Sequence, residues 1–132
     1  MDMLMEIYNK LRADTYIAEK VGTRINFYEY PNTTTMSGPI VVIEEVMPAT
    51  PGVHGDNEAI TDDHFIHIEV WVKGNGGRTI RDEIARKIQA VMRKEFGMGL
   101  DSAMKPEYDK DLKIYRDARR YRGQIYKEIG TQ

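Results

Sequence analysis

The sequence predicts an α+β chain: a single, mostly antiparallel sheet of about four to six strands packed against one long and one or two short helices. Three observations carry this. Residues 64–73 (His64-Phe65-Ile66-His67-Ile68-Glu69-Val70-Trp71-Val72-Lys73) alternate, so Ile66, Ile68, Val70 and Val72 share one face of a strand. A reversal, Gly74-Asn75-Gly76-Gly77, leads into a segment in which Ile80, Ile84, Ile88, Val91, Met92 and Phe96 recur at helical spacing. Pro39 to Val46 is β-branched and almost continuously apolar, the pattern of a central strand covered on both faces.

The other elements follow from local signals. Asp2 is placed to cap a first helix whose apolar stripe is Leu4, Ile7, Tyr8 and Leu11. Asp14 caps a short second helix through Tyr16, Ile17 and Val21, and Gly22 ends it, because glycine tolerates the left-handed conformation that follows a last turn. Arg24 to Tyr30 reads as a strand stopped by Pro31, followed by a small polar stretch, residues 32–38. Residues 47–61 hold two prolines and two glycines, which argue against a regular element. They join two strands that would pair as a hairpin, so the segment should project from one end of the sheet as an interaction arm. Gly97 and Gly99 close the long helix. Residues 101–129 read preferentially as two edge strands around Leu112, Ile114, Ile125 and Tyr126, turning at 108–111 or 116–118. A helical stripe through Tyr108, Leu112, Tyr115, Arg122, Tyr126 and Ile129 is the alternative.

A length of 132 residues fits a single domain, 1–132, able to bury roughly two-thirds of its unfolded surface. A net charge of −2 gives no whole-molecule attraction to nucleic acid or an anionic membrane. The absence of cysteine excludes disulfides, thiolate metal sites and a thiol nucleophile. The first residues, Met1 to Glu6, lack the pattern of a signal peptide, and no apolar run approaches the roughly 20 residues that span a bilayer. The expectation is a soluble protein with no membrane partner.

No catalytic constellation emerges. His64 and His67 are three apart on a strand, hence on opposite faces, and cannot converge on one ion. His54 sits in the arm without obvious co-ligands. Asp56, Glu58, Asp62 and Asp63 form an acidic cluster without calcium-loop spacing, more suited to solvent or to a basic neighbouring chain. The Gly74–Gly77 turn lacks either phosphate-loop fingerprint. Ser37 and Ser102 lie outside any strained nucleophile turn. The expectation is no enzyme, no metal and no cofactor. The long helix carries Arg78, Arg81, Arg86, Lys87, Arg93 and Lys94 interleaved with Asp82, Glu83 and Glu95, as a solvated face does. The segment 113–127 is more one-sided: Lys113, Arg116, Arg119, Arg120, Arg122 and Lys127 against Asp117, threaded by Tyr115, Tyr121 and Tyr126. Tyr and Arg are enriched at subunit interfaces, and basic residues with aromatics also mark nucleic-acid contact. The candidate interface residues are therefore Pro48, Pro51, Val53, His54, Asp56 and Glu58 on the arm, and Tyr115, Arg119, Arg120, Tyr121, Arg122 and Tyr126 on the basic run.

Val21-Gly22-Thr23-Arg24-Ile25, Pro39-Ile40-Val41-Val42-Ile43 and the Val70-Trp71-Val72 strand end before the helix give residues 3–96 a pattern that resembles the tail-completion proteins of long-tailed bacteriophages. That group comprises tail terminators and tail-to-head joining proteins. The resemblance implies a hexameric ring that caps the tail tube and docks onto the head connector or stopper protein, with DNA passing through the lumen without sequence-specific binding and without catalysis. It implies a place in the virion neck or tail end, reached by assembly in the host cytoplasm. In that family, loops between sheet strands reach neighbouring rings, a role that falls here by position on 47–61. Tail terminator, head-side adaptor and neck joiner share these features. A small nucleic-acid-binding module using 113–127 is the alternative.

Overall fold

The computed structural model describes residues 2–55 and 58–126, the side chains of 58 and 59 excepted. Two short helices open the chain. α1, Met3–Ala13, begins where the Asp2 carboxylate accepts the Met5 amide, and α2, Thr15–Lys20, begins where Asp14 accepts the Ile17 amide. Each aspartate satisfies a backbone donor that the first helical turn leaves unpaired. Gly22 takes φ 62°, so the left-handed exit expected from the sequence is present.

β1 (Ile25–Phe27) pairs parallel with β2 (Ile40–Glu45). β2 pairs antiparallel with the long β6 (Thr61–Lys73), from Ile40 opposite Trp71 to Glu45 opposite Ile66. The hairpin relation between the two strands flanking the arm is thus as the sequence predicts. The arm itself is not irregular throughout. β3 (Thr50–Pro51) lies back along β6, while β4 (His54–Gly55) and β5 (Glu58–Ala59) form a separate two-stranded hairpin. Proline is accommodated because Pro51 sits on a sheet edge between residues whose amides face the ladder: Gly52 donates to Thr61, and Pro51 has no amide to lose.

After β6 the chain reverses through Gly74–Gly76 into α3, Gly77–Phe96, which ends at Gly97 with φ 64°. β7 (Gly99–Ala103) and β8 (Glu107–Asp109) then pair in succession along β9 (Ile114–Tyr126). The 101–126 stretch is therefore strand and turn around an irregular 104–106, not a helix; Ile114, Ile125 and Tyr126 share one interior strand instead of two edge strands, and Leu112 falls in the turn. The chain turns at 110–113, and 116–118 lies inside β9. Ile129 and Lys127 lie outside the described residues.

The sheet runs β1-β2-β6-β9-β7, with β3 and β8 attached to β6 and β9. The predicted architecture holds; the strand count reaches seven because short pieces flank the two thirteen-residue strands. β6 and β9 pair along their whole length, Thr61 opposite Tyr126 to Lys73 opposite Ile114. One face carries Val41, Ile43, Ile66, Ile68, Val70, Val72 and Tyr121, and packs with Ile84, Ile88 and Met92 of α3 and with Ile7, Leu11 and Ile17 of α1 and α2. This is the core. At about 25 cal/mol per Å² of apolar surface removed from water, each fully buried isoleucine here contributes about 2 kcal/mol.

Candidate functional site

The opposite face of the sheet is built from the other half of each alternation. β6 contributes Phe65, His67, Glu69 and Trp71, while β9 contributes Arg116, Arg120 and Arg122 directly across from Trp71, His67 and Phe65. Among the described residues, the helices pack on the other, apolar face. Residues 28–39, linking β1 to β2, reach the polar face: Tyr30 packs edge-on against Trp71 with ring centroids 6.2 Å apart, and Lys73 Nζ donates to the Thr33 carbonyl at 2.9 Å.

At the middle of this face Glu69 is 2% exposed. Its carboxylate accepts from His67 Nε2 (2.7 Å), Trp71 Nε1 (3.0 Å), Arg116 Nε (2.6 Å) and Arg116 Nη2 (3.0 Å). The Tyr30 hydroxyl, which donates to Glu44 at 2.8 Å, lies 3.3 Å from the same carboxylate. Burial alone would raise the Glu69 pKa. The His67 and Arg116 hydrogen bonds, the Arg116 charge and the Trp71 N–H outweigh it and hold the group at about 2. The same contacts raise Arg116, whose remaining donor reaches Glu107 at 3.1 Å. Burial, reinforced by the bond to Glu44, pushes the Tyr30 hydroxyl upward. Arg120 Nε donates to His67 Nδ1 at 3.3 Å, which places the imidazole proton on Nε2, facing Glu69. Four donors on two oxygens leave this carboxylate no ready lone pair for a substrate proton. The arrangement ties β6, β9 and the 28–39 segment together.

A second polar group lies on the helix side. Asp117, 3% exposed, is held at 3.0 Å by Arg119 Nε, and Arg119 Nη1 donates to Gln89 of α3 at 2.6 Å. Here burial dominates and raises the Asp117 pKa against the opposing pull of Arg119 and Arg81. Arg81 is itself buried, over the Tyr115 ring and bonded to Asp82 and the Glu107 carbonyl. It is thus not part of a solvated basic helix face, as its spacing suggests; the β8 turn folds over it. Between α3 and β7 runs an open groove of about 990 Å³, with Arg119 and Met98 among its lining residues.

The sequence-predicted interface residues divide. Pro48, Pro51, Val53 and His54 are exposed along the arm. Glu58 is on β5, and Asp56 lies outside the described residues. Asp62 and Asp63 belong to β6, opposite Pro51 and Thr50, so the acidic cluster is split between arm and sheet. The basic run is not one patch. Strand alternation sends Arg120, Arg122 and Tyr126 to the open face and Tyr115, Arg119 and Tyr121 to the helix side. Tyr121 is 1% exposed and belongs to the core, which removes it from any surface contact. Tyr115 is half-buried and stacked on Tyr108 at 4.3 Å. His64 and His67 take opposite faces as expected, but both are buried rather than at a strand end, because β6 starts three residues earlier. Among the described residues no group of three His, Asp or Glu side chains is placed to hold a metal. The Glu69 cluster was not anticipated. Its signal was present: Phe65, His67, Glu69 and Trp71 alternate with the apolar set and share a period of two with Arg116, Arg120 and Arg122.

This fold is known. A chain from the virion of a native gene transfer agent particle superposes with a TM-score of 0.65 over 92% of both chains, at 19% identity. A second solved chain superposes at 0.52 over 97% of this chain and 99% of the other, at 12% identity. No protein-family model and no curated protein matches the sequence.

Proposed function

We propose that the chain is a structural component of a phage-like virion. In this reading it forms a ring, a hexamer by the resemblance of its first 96 residues, at the tail end or head–tail neck. The ring terminates the tail tube, joins it to the head connector, or does both, and DNA passes through its lumen. It works without catalysis or a cofactor. The observation that carries the reading is the near-complete coverage, 92% of each chain, shared with a virion chain of a gene transfer agent particle. The closed hydrogen bonding of Glu69 supports it from the physical side, since this cluster of ionisable groups is spent on cohesion. Negative-stain microscopy of the purified chain with tail tubes tests it. The expected result is a ring of density at one tube end; tubes that remain bare at both ends would overturn the reading.

The exposure of Arg120 and Arg122 at alternate positions of one face favours a second reading, a nucleic-acid module. Its aromatics are largely engaged: Arg122 lies 3.9 Å over Phe65, Arg116 lies over Trp71, and Tyr121 is buried. That leaves phosphate contact rather than base stacking as its chemistry. Filter binding at two salt concentrations separates the readings, because phosphate-driven affinity falls steeply with salt.

A further inference from the structure

The chain passes from β6 to α3 in three residues: Lys73 ends the strand, Gly77 begins the helix, and Gly74, Asn75 and Gly76 lie between. The Gly77 amide donates to the Gly74 carbonyl at 3.1 Å, which closes a four-residue turn with Asn75 and Gly76 at its centre. Gly76 takes φ 76° and ψ 1°, while Asn75 keeps a negative φ. That combination is a type II turn, whose third residue must enter the left-handed region, as glycine does without steric cost.

An asparagine followed by glycine carries two groups that can react with each other: a side-chain amide carbon and a backbone nitrogen that no neighbouring side chain shields. Here the surroundings leave both free. Asn75 and Gly76 are exposed. Among the described residues the Asn75 side chain makes no hydrogen bond, and the Gly76 amide donates to no acceptor. A Cβ built on Gly74 or Gly76 would meet nothing within 4 Å, so the turn has room to open and bring the two groups together. The other asparagines lack one condition or another. Asn9 lies within α1, where the following amide, that of Lys10, is inside the helical ladder. Asn26 precedes the bulky Phe27, and Asn32 precedes Thr33 with its own side chain bonded to Thr34. Asn57 lies outside the described residues.

We infer that Asn75 is a site of spontaneous deamidation, independent of the ring reading. The Gly76 nitrogen attacks the Asn75 Cγ and gives up its proton to solvent. The bond from Cγ to the side-chain nitrogen breaks, and that nitrogen takes a proton and leaves as ammonia. A cyclic imide now joins the two residues. Water then opens it at either carbonyl: cleavage of the bond to Cγ leaves aspartate in an ordinary backbone, and cleavage of the main-chain bond leaves isoaspartate, whose main chain is one carbon longer. One ammonia is lost and one water gained, with no other reactant. Both products put a new negative charge just before α3, whose first turn has no acidic residue and no side-chain cap. Aspartate at that place favours the helix. Isoaspartate lengthens a turn held by the Gly77–Gly74 bond and by the Gly74 amide on the Lys113 carbonyl at 2.8 Å, and so loosens the junction of β6 with α3.

The test is peptide mass spectrometry on the full-length protein stored warm at mildly alkaline pH, with circular dichroism confirming that it stays folded. Trypsin cuts after Lys73 and Arg78 and so releases residues 74–78 as one peptide. That peptide is expected to gain about 1 Da, the difference between the ammonia lost and the water gained, and to split into two chromatographic forms of equal mass. It should do so roughly tenfold faster than the peptide carrying Asn9, whose following amide is held in α1. Asn75→Gln keeps an amide but moves its carbon out of reach of the Gly76 nitrogen, and its 74–78 peptide should keep its mass. Protein enriched in the isoaspartate form should unfold at a lower urea concentration than Asn75→Asp, which represents the aspartate product alone. A wild-type 74–78 peptide that keeps its mass, gains it no faster than the Asn9 peptide, or gains it equally in Asn75→Gln would overturn the site. Equal urea midpoints for the two products would overturn the loosening of the junction.

Discussion

The two faces of the sheet are held by different physics although they share every strand. The helix-covered face is closed by aliphatic packing: Ile43, Ile68, Ile84 and Ile88 are all at or below 2% exposure. The other face buries Glu69 equally well by surrounding a carboxylate with charged and neutral donors. The first solution is non-directional and fails in proportion to the volume removed. The second is directional and fails when one partner is lost, because the remaining charge is left without its counterpart. One β6 residue from each side should expose this difference, since Ile68 and Glu69 are adjacent in sequence and point opposite ways.

The largest effect is expected on the apolar side. Ile68→Ala removes most of a fully enclosed side chain from the central strand and should cost about 4 kcal/mol, from transfer and cavity together. Urea denaturation checks it: the midpoint should fall with the slope unchanged, and a loss under about 1 kcal/mol would mean that the helices do not close this face.

Glu69→Gln should cost somewhat less, about 3 kcal/mol, because the side chain of Arg116 keeps 26% exposure and a second carboxylate in Glu107. Directionality gives the sharper signature. Glu69→Leu combined with Arg116→Met should be markedly milder than the sum of the single changes, as removing both members of a buried pair avoids stranding either charge. Additive losses in that double-mutant cycle would show that the pair is not coupled.

The same contrast explains what could be read in the sequence. The apolar face was legible because Ile66, Ile68, Val70 and Val72 alternate strictly and α3 repeats at helical spacing; the caps Asp2 and Asp14 and the stop glycines Gly22 and Gly97 were legible because each answers a local backbone need. The order β1-β2-β6-β9-β7 was not, because strand neighbours are decided by contacts far apart in sequence. That 101–126 holds strands was legible around Ile114 and Ile125, but the single long strand β9 was not: arginines and tyrosines give no apolar alternation, and the buried members Asp117 and Tyr121 differ from the exposed Arg120 and Arg122 only by parity within β9. The candidate interface was half legible. The exposed arm follows from proline and glycine content, whereas the α3–β7 groove is made by two elements together, and no short segment contains it.

The smallest expected effects separate the two buried carboxylates by pH. Glu69 has a folded pKa near 2 against an ordinary 4.5, so the unfolded chain binds its proton first. Its contribution to stability is complete above about pH 4.5 and is lost as pH falls toward 2. Asp117 works in the opposite sense. Its folded pKa is raised above the ordinary 3.8, so the folded chain binds the proton first and this residue's contribution grows as pH falls. Asp117→Asn should therefore lie within about 1 kcal/mol of wild type at neutral pH, since an amide oxygen can still accept from Arg119. Its stability should nevertheless fall more steeply than wild type in acid, with the compensating group removed, whereas Glu69→Gln should show a flatter decline below pH 4.5. Chemical denaturation at a series of pH values measures all three slopes. Equal slopes for the two variants would mean that the faces do not treat a buried carboxylate differently, and the contrast drawn from their hydrogen bonding would fail.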